Sequence, residues 1–197
     1  MLYPNLTSKR IILASKSPRR LELVRGLELE PEVHVRDVDE SYPKSVKGAA
    51  VAEYVTLAKA SAFSDILGEN DVIITGDTVV LLGEEVLEKP ANIEEAKAML
   101  KKLSGQTHLV ASGVAVTTLK KGKPHTICKV DTCKVTFEEL TDEIISHYIK
   151  KYRPFDKAGS YGVQDLLGFI GVRSINGSFY TVMGLPVHLL HKMLQQV

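Results

Sequence analysis

Residues 10–26 read RIILASKSPRRLELVRG and hold a strand, a tight turn and the start of a helix. Ile11, Ile12, Leu13 and Ala14 form an apolar run of strand length. Ser15 and Ser17 then supply hydroxyls, and Pro18 follows at the first helical position, where its missing N–H costs nothing. The spacing predicts Ser17 as the N-cap and Gly26 as the stop. A helix N-terminus carries unpaired N–H groups and partial positive charge, yet Arg19 and Arg20 stand in the first turn. Two cations at the positive end of a dipole are easier to explain if an anion sits there and relieves the conflict. The same residues also read as an ordinary capped helix with two solvated arginines, and this stretch alone leaves both readings open.

Outward from that turn, the chain of 197 residues is long enough to bury a sizeable core. Apolar residues make up 44% and charged residues 25%, an ordinary globular composition. Lys plus Arg number 25 against 24 for Asp plus Glu, so any anion recognition must be local, and neither nucleic acid nor membrane is expected as a partner. The opening residues MLYPNLTSKR lack a charged-then-apolar signal pattern, and no apolar run approaches the length of a membrane span. A cytoplasmic location is expected. Cys128 and Cys133 are the only cysteines, five apart in a strand-like stretch that would point them to opposite faces, which argues against a disulfide or a zinc site. His188 and His191 stand at i, i+3 on an expected helix without a third ligand nearby, and are read as structural.

After Gly26, residues 32–36 (EVHVR) alternate as a strand does, and Asp37, Asp39 and Glu40 follow. Carboxylates so close repel one another unless a cation is bound or water screens them. Residues 48–67 carry apolar positions at helical spacing, with Lys59 on or beside the stripe. Residues 71–90 read DVIITGDTVVLLGEEVLEKP. Here Val72, Ile73 and Ile74 form a buried strand that continues through Gly76, Asp77 and Thr78 into residues 79–82. An aspartate inside an apolar strand is costly unless it is paired or ligates a metal, which makes Asp77 the strongest single site signal in the chain. Gly83-Glu84 suggests a hairpin turn, and Lys89 before Pro90 is held extended.

Asn92 and Glu95 have capping-box spacing before a helical period that Gly105 ends. Residues 108–119 and 126–137 read as a hairpin around a lysine-rich turn, and Thr141 starts a further helix. Residues 154–164, PFDKAGSYGVQ, form a polar, glycine-containing loop of the kind that carries recognition. Residues 166–173 and 178–182 flank Asn176-Gly177 as an expected hairpin, and residues 185–194 close the chain as an amphipathic helix.

The usual nucleotide loops, G-x-x-x-x-G-K-[ST] and G-x-G-x-x-G, are absent. Yet an anion cradle at 15–20, carboxylates at 37–40 and Asp77, and cations at Lys59 and Lys89 together match the needs of metal-assisted phosphoryl transfer. Those needs are hard oxygen ligands, cations over the phosphates and a carboxylate to orient or deprotonate water.

These residues lie in motifs that, in their order, resemble the Maf family of nucleoside triphosphate pyrophosphatases. The motifs are Ala14-Ser15-Lys16-Ser17-Pro18-Arg19-Arg20, Asp39-Glu40, Ala58-Lys59-Ala60, Gly76-Asp77-Thr78, Leu87-Glu88-Lys89-Pro90, Leu103-Ser104-Gly105-Gln106-Thr107-His108, Asp156-Lys157-Ala158-Gly159-Ser160-Tyr161-Gly162-Val163-Gln164 and Val182-Met183-Gly184-Leu185-Pro186. The resemblance runs from Arg10 to about Leu194 and implies a single domain over 1–197 of α/β class. A mixed, strongly bent sheet with flanking helices would form two lobes around a central cleft, as in inosine triphosphatase-like folds. It implies hydrolysis between the α and β phosphates to a monophosphate and pyrophosphate, with Mg²⁺ or Mn²⁺ as cofactor. The group acting on dTTP and UTP is the most similar, through Arg19 in SPRR, Thr78 after Asp77, and Gln164 ending the KAG loop. Thr75-Gly76 in place of Gly-Ala, and Ser160 and Val163 in place of Ala and Ile, are mild departures that bear on fine substrate preference.

Carried onto this sequence, the resemblance makes Asp77 the general base and a metal ligand, with Glu40 completing the metal site. Ser15, Ser17, Arg19, Arg20, Lys59, Lys89 and Lys157 would bind the substrate and steady the leaving pyrophosphate, while Thr78 and Gln164 would contact the pyrimidine. It also implies a homodimer. A second reading keeps hydrolysis secondary to a regulatory interaction that restrains cell division, and a third keeps the chemistry but directs it at a modified nucleotide.

Overall fold

The computed structural model describes residues 2–197. It has a mixed α/β architecture, with seven strands in the order β2-β1-β3-β5-β6-β7, β4 pairing with β3, and helices flanking the sheet. The strands are β1 (Arg10–Leu13), β2 (Glu32–Val33), β3 (Asp71–Leu82), β4 (Glu85–Leu87), β5 (Thr107–Lys120), β6 (Lys123–Phe137) and β7 (Val172–Asn176). The helices are α1 (Pro18–Arg25), α2 (Ala50–Ser61), α3 (Ile93–Leu103), α4 (Asp142–Tyr152), α5 (Leu166–Ile170), α6 (Phe179–Met183) and α7 (Val187–Leu194). By their contacts the residues fall into two compact units, one holding the residues up to Asp77 with Ser112–Asp131 and Gly184–Val197, the other Thr78–Ala111 and Thr132–Met183.

The first unit is built on β1, which pairs in parallel with both β2 and β3. Parallel neighbours require crossovers, and α1 and α2 supply them. A parallel strand buried on both faces should be continuously apolar, and Ile12, Leu13, Val72, Ile73 and Ile74 are almost wholly excluded from solvent. Ile12, Ala14 and Ile73 pack with Phe63 and Leu67. At the start of β1 and β3, Arg10 forms a two-pronged ion pair with buried Asp71, at 2.9 and 2.8 Å. That pairing holds the Asp71 carboxyl below its usual range. The Tyr3 hydroxyl meets His191 Nδ1 at 2.9 Å, so one histidine of the 188/191 pair is tied to the chain's opening residues.

In the second unit α3 packs on α4, with Leu100, Leu103, Ile145, Tyr148 and Leu167 at the core. His108 lies edge-on to both Phe137 and Tyr161, and its Nε2 is 2.7 Å from the Tyr161 hydroxyl. The caps follow the sequence. Asn92 Oδ1 accepts the Glu95 N–H at 2.8 Å, and Thr141 Oγ1 accepts that of Ile144 at 3.3 Å. Glu95 reaches back to the Ala91 N–H, one residue before the position that the capping-box pattern predicts.

Two local expectations need correction, and one holds with a different cap geometry. The strand expected over 32–36 pairs only at Glu32–Val33. Beyond it the chain makes one more backbone bond to β1, from the His34 N–H to the Leu13 carbonyl, and Arg36 turns to bond the Ala62 carbonyl and Asp65. Gly26 is the C-cap of α1, as its position predicts, with right-handed dihedrals, and the left-handed residue after that helix is Glu28. The expected hairpin about Asn176-Gly177 does not form. Residues 166–170 are helix α5, β7 takes its antiparallel partner from β6, and Gly177 at φ +130° turns the chain into α6. The dipeptide turns the chain, but its two flanks are a strand and a helix rather than two paired strands. Neither cysteine forms a disulfide, and burial, helped by Glu53, pushes the Cys128 thiol up to about 11, leaving it a poor nucleophile.

Candidate active site

The turn from β1 into α1 has the geometry that residues 15–20 suggest. Ser17 caps α1 in extended conformation, its Oγ accepting the Arg20 N–H at 3.4 Å. Ser15 Oγ accepts the Ser17 N–H at 3.1 Å and lies 3.4 Å from an Arg20 terminal nitrogen. Arg20 Nε donates to the Gly184 carbonyl at 2.9 Å, which fixes the plane of the guanidinium. Burial lowers the Arg20 pKa from its ordinary value, and Arg19 works in the same direction while Asp77 and Glu40 oppose it. An arginine desolvated beside another arginine is poised for an anion.

β3 carries Asp77 to this turn. A side chain at Gly76 would meet the Gly113 carbonyl at 2.8 Å, Leu185 at 3.3 Å and Arg20 Nε at 3.6 Å, so the strand backbone runs close against the guanidinium. Asp77 is 7% exposed, and its Oδ1 accepts from Lys59 Nζ at 2.7 Å. The same ammonium lies 2.9 Å from Glu40 Oε1. Lys59 stands in the last turn of α2, its side chain only 13% exposed, which places a cation where the helix dipole favours one. Lys59 therefore bridges a carboxylate buried in the sheet and a carboxylate on an exposed loop.

The acidic cluster does not act as one group. Asp37 pairs with exposed Lys16 at 2.6 Å, Asp39 accepts the Ser41 N–H at 2.9 Å, and of the three only Glu40 pairs with Lys59. The first unit thus brings Ser15, Ser17, Arg19, Arg20, Glu40, Lys59 and Asp77 into one neighbourhood.

Thr78, Lys89, Lys157 and Gln164 belong to the second unit. Lys89 is exposed at the end of the β4 segment, before buried Pro90. Lys157 Nζ lies 2.9 Å from Asp156 and 3.7 Å from Asp165, its side chain 11% exposed. Gln164 Oε1 is buried without a hydrogen-bond partner among the described residues. A buried amide oxygen without a partner is costly in a finished fold, and a water or a ligand donor would relieve it.

Two features escaped sequence reasoning. The Gly184 carbonyl that orients Arg20 is a backbone atom, and its only signal is its place in the residue 182–186 motif. Tyr148 and Asp165, which brace the loop holding Gln164, carry no signal in the sequence: one lies inside the helix that Thr141 starts, the other just past the 154–164 loop.

Comparison with known proteins bears on all of this. The Maf-like protein family model matches residues 10–197. A dTTP/UTP pyrophosphatase of Phocaeicola vulgatus is 46% identical over 197 residues, covering 100% of both chains. One of Parabacteroides distasonis is 45% identical over 98% of this chain and 99% of its own. One of Bacteroides thetaiotaomicron is 46% identical over 98% of each. Among solved structures, the Ham1 protein of Staphylococcus aureus superposes with a TM-score of 0.54 at 14% identity, covering 95% of this chain and 99% of that one, a likeness of fold. With its motifs spread along the matched length, this chain belongs to the family of Maf-like proteins.

Proposed function

We propose that the protein hydrolyses nucleoside triphosphates, dTTP and UTP foremost, between the α and β phosphates, releasing a nucleoside monophosphate and pyrophosphate. The observation that carries this reading is Asp77, a carboxylate buried inside an apolar strand, held by Lys59 beside the Arg20 turn. Full-length relatives named dTTP/UTP pyrophosphatase supply the substrate class.

In this mechanism Arg19, Arg20, Ser15 and the α1 N-terminus bind phosphate oxygens, and Lys59 offsets charge as it develops on the leaving pyrophosphate. Asp77 accepts a proton from the attacking water, its orientation fixed by the Lys59 contact. Lys89 and Lys157 add cations to the substrate, and Thr78 and Gln164 read the pyrimidine.

A divalent cation fits the donor set in part. Asp77 and Glu40 are hard oxygen donors gathered on one ammonium, while Mg²⁺ prefers about six oxygens and takes most of them from phosphate and water. Among the described residues no cluster of three or more acidic, histidine or cysteine side chains is arranged to hold a metal alone. Asp77 and Glu40 would hold Mg²⁺ or Mn²⁺ together with the triphosphate. When bound, the ion supplies Lewis-acid polarisation of the phosphoryl oxygens.

No helix among the described residues is long and apolar enough to cross a membrane. A cytoplasmic enzyme of the nucleotide pool is the setting we propose. Incubation with a panel of NTPs and dNTPs plus Mg²⁺ or Mn²⁺ tests the reading. Pyrophosphate released from dTTP and UTP is expected, whereas orthophosphate, or no product from any nucleotide, would reject it.

A further inference from the structure

Residues 154–165 carry Gln164, yet little of this loop is regular structure, so something else must hold it in one shape. A short 3₁₀ turn at Ala158–Ser160 is its only repeating element. The bracing comes from α4. Tyr148 is fully buried there, and its ring stacks on Tyr152 at 5.0 Å, which leaves the phenol oxygen little freedom. That oxygen accepts the Gly162 N–H at 3.1 Å, while its own hydrogen is donated to Asp165 Oδ2 at 3.0 Å. One atom therefore ties together the two residues that bracket Val163 and Gln164. Packing inside the bracket is tight. A side chain at Gly162 would meet Asp165 Oδ2 at 2.6 Å and Gln164 Nε2 at 3.0 Å, so Gly162 leaves room for both groups. Lys157 Nζ, 3.7 Å from Asp165, braces the carboxylate from the start of the loop.

We infer that Tyr148 is a positioning residue for base selection: by tying the Gly162 backbone to the Asp165 carboxylate, it holds Gln164 with its side-chain oxygen buried and unpartnered. This rests on the reading of Gln164 as a base contact. A fixed, buried acceptor favours a ring that presents an N–H at the facing position. Uracil and thymine do so at N3, and cytosine presents a bare ring nitrogen there. A site built for a hydrogen bond rejects the analogue lacking it, because its own buried group is then left unpaired. The selectivity is lost if the acceptor shifts, and the Tyr148 phenol counters that by fixing the chain on both sides of Gln164.

The test compares kcat/KM for dTTP and dCTP, with Mg²⁺ and pyrophosphate release as the readout, in the wild type and in Tyr148→Phe. The variant keeps the packed ring and removes the oxygen. A folded Tyr148→Phe should lose about tenfold in the dTTP-to-dCTP ratio, with most of the loss on dTTP. A merely structural role would lower both substrates alike, so a ratio unchanged within about twofold overturns the inference. If Tyr148→Phe is not folded at the assay temperature, Asp165→Ala opens the same tie from its other end, and a preserved ratio in that folded variant is equally decisive against it. A wild-type protein that treats dTTP and dCTP alike refutes the base-reading role of Gln164, and this inference with it, before any variant is made.

Discussion

At the scale of single residues, Asp77 carries the heaviest demand, because a carboxylate in a strand flanked by Val79, Val80 and Ile74 is tolerated only with a partner. Lys59 is that partner, and an asparagine keeps both the shape and an acceptor oxygen for the ammonium. Asp77→Asn should therefore fold with a melting curve close to wild type. Its kcat should fall about 10³-fold, since it can no longer take a proton from water. A folded variant retaining about a tenth of wild-type turnover would remove Asp77 from the role of base. Asp77 was legible because its chemistry conflicts with its surroundings, and the sequence displays such conflicts openly. Lys59 and Glu40 were legible only as candidates, since either would be unremarkable on a solvated face. The meeting of Glu40 and Asp77, 37 positions apart, at the Lys59 nitrogen needs the loop, helix and strand that fold between them.

At the scale of elements, helix ends were the most legible features because caps act through neighbours within four residues. Ser17, Asn92 and Thr141 each cap the helix that their positions predict. The misread elements depend on distant partners. β2 stops after two paired residues because Arg36 turns to the residues that follow α2, and β7 is a strand only because β6 offers it an antiparallel edge. No local pattern in residues 32–36 or 166–182 records those partners. The caps also separate stability from chemistry. Asn92 is exposed at the start of α3 and is assigned no part in substrate binding, so Asn92→Ala should lower unfolding free energy by about 1 kcal/mol in urea titration. Its kcat/KM for dTTP should match wild type. A loss of activity without loss of stability would show that α3 reaches the chemistry in a way that its cap geometry does not suggest.

At the scale of the whole molecule, net charge is near zero, so pH acts on stability through a few groups rather than through general repulsion. His108 leads them. It is 2% exposed, and desolvation lowers its pKa from 6.5 to about 4. Between those values the unfolded chain binds a proton that the folded chain refuses, so stability falls as pH falls across that window. The linkage predicts a loss of about 2 kcal/mol between pH 7 and pH 5. The carboxylates with lowered pKa, among them Asp71 beside Arg10, act later. Their stabilisation is complete above the unfolded value of 3.8 and is lost only as pH drops through the lower folded value. Acid unfolding should thus begin with the histidine, well before the carboxylates titrate. Urea titrations at pH 7 and pH 5 on the wild type and on His108→Gln separate the two. Glutamine can still meet the Tyr161 hydroxyl but binds no proton, so the variant should start less stable and lose little between the two pH values. Equal losses in both proteins would assign the early acid sensitivity to another group and leave His108 as a packing residue alone.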